Sequence, residues 1–136
     1  MATETVLFRK EPGEWGVPRE KVVLCEFVVQ ALRRDFGMGH AVTAVKWFHL
    51  ADDLARDGDA GVFRALPSEA GFVTRAEPGT IWLRRELCRL PDARLIRILV
   101  HEVMHVEQLA RGSPLPVDEL EREADDLVGI LCRGLA

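Results

Sequence analysis

The chain contains the run His101-Glu102-Val103-Met104-His105. In an α-helix, residues four apart project from almost the same side. Two imidazoles at this spacing can converge on one divalent ion, and the carboxylate beside them can serve as a base. That is the residue set of metal-assisted hydrolysis: a metal acidifies a water molecule and a carboxylate removes its proton. The ordinary alternative for a histidine is a hydrogen-bonded core residue. Against it, Leu95, Leu99, Val103 and Val106 form one apolar stripe at helical spacing, whereas Arg94, Arg97, His101, His105 and Gln108 form another. The pattern predicts that the histidines face a cleft or solvent.

A catalytic zinc normally has three protein ligands and one open position, so two histidines leave one ligand to be found. After the break Gly112-Ser113-Pro114-Leu115-Pro116, a second helix is predicted from Val117 to Arg133. Its apolar face is Val117, Leu120, Ala124, Leu127, Val128 and Leu131. Helical projection puts Glu121 and Asp125 on one border of that face and points Glu119, Glu123 and Asp126 outward. Glu121 is therefore the glutamate aimed at the seam between the helices. The alternative is an edge-of-core acid in a helix rich in carboxylates.

Together the two segments resemble the gluzincins, the thermolysin-like branch of the zinc peptidases, whose second helix carries a glutamate ligand followed four residues later by an aspartate. Here that pattern is Glu121-Arg122-Glu123-Ala124-Asp125. The resemblance implies Zn2+ held by His101, His105 and Glu121, with Glu102 as general base and Asp125 accepting a hydrogen bond that orients a ligand histidine. It covers about the last third of the chain. Length and element order look most like the minimal gluzincins, which are small single-domain members. Many gluzincins stabilise the oxyanion with a downstream Tyr, His or Arg, but this chain has no Tyr and no His after His105. His49, Arg97 and Arg84 are the candidates for that role.

Elements before the motif must position it. Residues 1–17 read as an irregular leader, and Pro18 opens a helix to about Asp35 that buries Leu24, Phe27, Val28, Ala31 and Leu32 and stops at Gly37. Ala41 to Ala51 is predicted as a strand from its Val, Trp and Phe content. Asp57 to Gly61 reads as a turn, and Gly71–Arg75 and Thr80–Arg84 flank Pro78-Gly79 as a hairpin. The expected fold class is α+β: a single zincin-like minimal domain over 1–136, with a helix, a small mostly antiparallel sheet, the active-site helix and the glutamate helix. The resemblance further implies that Thr80–Arg84 is an edge strand able to pair with an extended peptide.

Composition narrows the function classes. With 136 residues the chain is one domain, which suits a shallow site and flexible or unfolded peptide substrates better than large folded ones. A net charge of −4 argues against a nucleic-acid partner. No apolar run reaches membrane-spanning length, and the polar, acidic N-terminus is unlike a secretory signal, so no membrane partner and a cytoplasmic location are expected. Cys25, Cys88 and Cys132 are odd in number and read as reduced structural thiols. Two functions remain: a zinc-dependent metallopeptidase, or a zincin-fold binding or regulatory module whose metal is structural or sensory.

Overall fold

The structure is a computed structural model that describes residues 17–48, 71–73 and 77–133. Most of the expected leader, His49 and the Asp57–Gly61 turn lie outside the described residues. Helix α1 (Arg19–Phe36) starts after Pro18, and Gly37 ends it at φ 65°, a left-handed conformation in which a Cβ is strained. The Met38 N–H then donates to the Leu32 carbonyl at 3.1 Å.

The buried face of α1 is Val22, Cys25, Val28, Val29 and Leu32, rotated from the expected one, and Phe27 is 62% exposed. Valines, leucines and phenylalanine occur around most of the circumference of α1, so apolar periodicity does not fix which side turns inward. Arg33 is also buried. Its guanidinium donates to the carbonyls of Gly39 at 3.0 Å and Val42 at 2.9 Å, tying the helix end to the chain that leads into the sheet.

Strands β1 (Ala44–Phe48), β2 (Gly71–Val73) and β3 (Thr80–Arg84) form a sheet of order β1-β3-β2. β1 and β3 run parallel, from Ala44 opposite Thr80 to Phe48 opposite Arg84. β2 and β3 are antiparallel, with Phe72 opposite Trp82. The class is α+β as expected, but the sheet is mixed and its longer pairing is parallel, which corrects the mostly antiparallel expectation. The Pro78-Gly79 signal specified only the local hairpin. The direction of β1 is set by a distant return of the chain and leaves no local mark.

A second correction follows from the strand order. β3 is the middle strand, hydrogen-bonded on both sides, so it is not the edge to which a peptide could add.

The hairpin turn is closed by the Thr80 N–H donating to the Glu77 carbonyl at 3.0 Å. Gly79 is required there by proximity. A Cβ at this position would lie 2.8 Å from the Ala41 carbonyl oxygen and from Thr43 Oγ1. The Thr43 N–H donates to the Gly79 carbonyl at 2.8 Å, so the turn docks on the start of β1.

A 3-10 turn, Arg85–Arg89, links β3 to helix α2 (Asp92–Arg111), and Gly112 at φ 65° separates α2 from helix α3 (Val117–Leu131). Leu95, Leu99, Val103 and Val106 of α2 are buried, as the apolar stripe predicted. They complete a core with Val45, Trp47, Val73, Ile81 and Leu83 of the sheet and the inner face of α1. Cys25 and Cys132 are buried, Cys88 is half-buried, and all three are free thiols. Among the described residues no helix is long and apolar enough to cross a membrane.

Candidate metal centre

Core packing of α2 fixes what its other side can do. Because Val103 and Val106 face the core, His101 and His105 turn towards α3, which buries Leu120 and Ala124 and so presents Glu121 to them. His101 Nε2 lies 3.0 Å from Glu121 Oε1, and His105 Nε2 lies 2.9 Å from Glu121 Oε2. The two Nε2 atoms are 3.1 Å apart. His101, His105 and Glu121 thus form a group that could hold a metal ion, with one ligand atom from each within 4.8 Å of the others.

The outer nitrogens of both rings are also engaged. His101 Nδ1 is 3.1 Å from Asp125 Oδ1, and His105 Nδ1 is 2.8 Å from Gln108 Oε1. The Gln108 amide nitrogen donates to the Leu120 carbonyl at 2.9 Å and to Glu123 Oε1 at 2.8 Å. Both of those partners are pure acceptors, so the amide can face only one way and its oxygen must point at His105. The His105 ring proton therefore sits on Nδ1. Burial, the largest influence on this imidazole, holds it below its ordinary pKa of 6.5, which keeps it neutral near pH 7 and leaves a bare lone pair on Nε2.

This arrangement has a consequence for the inner atoms. His105 Nε2 and Glu121 Oε2 are both acceptors, 2.9 Å apart, and Glu121 Oε2 is buried without a hydrogen-bond donor. A proton on His101 Nε2 can reach Glu121 Oε1 or His105 Nε2, but it leaves this contact without a donor. A cation held among the three residues resolves the repulsion. Two imidazole nitrogens and a carboxylate are a donor set that suits a divalent metal such as zinc.

The structure brings together His101, His105, Glu121 and Asp125, four of the residues that the sequence placed at the site. Asp125, although 71% exposed, sits against His101 as expected of an orienting acceptor. Glu102 follows His101 on α2 and is fully buried. Three details differ from the sequence reading. His105 is buried rather than facing solvent, and Glu123 turns inward to accept from Gln108 and, at 3.2 Å, from Arg111. Gln108, placed on the polar stripe, is buried and holds His105. Its spacing of three residues from His105, on the same helix face, was the available signal. Arg97 donates to the Cys132 carbonyl at 3.4 Å, and Arg84 lies 3.7 Å from Glu86. Each of these arginines therefore has a local structural partner.

No family model, no curated protein and no solved structure matches the chain.

Proposed function

We propose that the protein is a zinc-dependent metallopeptidase of gluzincin type that hydrolyses peptide bonds in flexible or unfolded segments. His101, His105 and Glu121 are the zinc ligands and Glu102 is the general base. The observation that carries the reading is the donorless contact between His105 Nε2 and Glu121 Oε2, at 2.9 Å. When bound, zinc supplies Lewis-acid polarisation of a carbonyl and lowers the pKa of water towards about 7.

The remaining work falls to the chain. Glu102 accepts the proton of the attacking water and returns it to the departing amine. Asp125 and Gln108 hold the ring N–H groups so that both Nε2 atoms point inward. With β3 enclosed, an extended peptide would add to β2, which packs against α2 and has no partner on its outer side among the described residues. A cytoplasmic, reducing compartment suits the free cysteines.

One observation favours a second reading, a zincin-like binding or regulatory module with a metal site. Glu102 has no exposed surface, whereas a general base must meet water. Glu102→Gln separates the two readings. Under the peptidase reading, metal content persists and hydrolysis of a broad peptide library disappears. Hydrolysis that survives in the variant refutes Glu102 as base, and a metal-loaded wild type that cleaves nothing in the library favours the binding module.

A further inference from the structure

We infer that Gln108 is a positioning residue that assembles the metal site across both helices before any ion arrives; this rests on the reading of His101, His105 and Glu121 as ligands. Gln108 is 1% exposed and all of its side-chain groups are engaged. Its oxygen accepts from His105 Nδ1 on its own helix, while its amide donates to the Leu120 carbonyl and to Glu123 on α3. Leu120 is the residue immediately before Glu121. One side chain therefore sets the tautomer of one ligand and clamps the backbone beside another.

The two histidines are held in different ways. His101 is oriented by Asp125, a charged and largely exposed side chain. His105 is oriented by a buried neutral amide whose direction is dictated by acceptors on α3. Glu123 is in turn held by Arg111 at 3.2 Å, so the connection runs from an ion pair at the protein's surface to the ring of His105. Such a relay fixes geometry, because a buried amide that turned over would set its N–H against an N–H and its oxygen against two acceptors.

The test is a substitution series in the full-length protein, read by zinc affinity in competition with a chelator and by the NMR tautomer state of the His105 ring. Glu123→Gln keeps an acceptor for Gln108 and should leave zinc affinity within a few-fold of wild type. Gln108→Glu sets two carboxylates together and removes both donations to α3, and Gln108→Met removes all three hydrogen bonds. Each should weaken zinc binding about 10- to 100-fold, the usual effect of losing a partner of a ligand histidine. The double variant Gln108→Glu with Glu123→Gln restores a donor between positions 108 and 123 and should recover part of that loss.

Wild-type protein stripped of metal supplies an arm that needs no substitution. His105 should carry its ring proton on Nδ1, and a ring with that proton on Nε2 instead overturns the inference. Unchanged zinc affinity in folded Gln108→Met also overturns it while leaving the ligand assignment intact. A wild type that binds no divalent metal refutes the ligand assignment itself.

Discussion

Replacing Glu121 with Gln should make the metal-free protein more stable and the zinc-loaded protein less stable. In the wild type without metal, Glu121 Oε2 faces His105 Nε2 at 2.9 Å with no proton between them. A glutamine of the same shape can turn its N–H towards that nitrogen and convert a repulsive contact into a hydrogen bond. A neutral hydrogen bond contributes about 0.5–1.5 kcal/mol net. The Glu121 side chain is 24% exposed, which favours the lower half of that range. For a domain of this size, a gain of about 0.5–1 kcal/mol raises the melting temperature by roughly 2–4 °C.

Zinc reverses the order. At about 100 times its dissociation constant, an ion that binds only the folded state adds about 2.7 kcal/mol to the wild type, worth roughly 10 °C. The variant, having lost its anionic ligand, should gain much less. The assay is a set of thermal melts near pH 8, with chelator and with graded zinc. The two proteins should exchange rank as zinc rises. If Glu121→Gln melts below the wild type in chelator, or shows an equal zinc-dependent shift, the acceptor-crowding argument is wrong.

Gly79→Ala should cost about 1–3 kcal/mol in urea unfolding, because the new Cβ would sit 2.8 Å from the Ala41 carbonyl oxygen and the docked turn must open. A loss below about 0.5 kcal/mol would mean that the turn yields freely. Cys25 should resist alkylation in the native protein at mildly alkaline pH yet react in denaturant, because burial first, and the nearby Cys88 second, push its thiol from 9.0 up to about 12. Because burial disfavours the thiolate, Cys25 costs no stability below the unfolded thiol's value, and stability falls progressively as pH climbs from there towards about 12. Peptide mapping by mass spectrometry reads the modification, and rapid native labelling of Cys25 would contradict its burial.

The metal group was legible because its information is local. The histidines are four residues apart on one helix, and the projection of α3 singled out Glu121 and Asp125 from a helix full of acids. What remained hidden depends on tertiary context. Gln108 looks like one more member of a polar stripe until Leu120 and Glu123 close over it, and Glu123 points outward on an isolated helix but inward once Gln108 offers it a donor. The phase of α1 escaped for the opposite reason, since apolar residues on nearly every side give periodicity nothing to discriminate. The central place of β3 was invisible because a parallel partner 36 positions earlier, Ala44 for Thr80, leaves no turn signature between them.

The hydrogen-bond and ion-pair partners of His101, His105 and Glu121 named above come from α2 and α3, between His101 and Asp125. The sheet and α1 contribute packing to that pair but none of these polar contacts. This division separates the segments that hold the group from those that only pack against it. A substitution on the outer strands β1 and β2 reaches the ligand group only through packing, whereas one at His101, His105, Gln108 or Glu121 removes a polar contact of the group itself. On the proposed reading, the helical pair is therefore the unit to transplant when moving the ligand group to another scaffold.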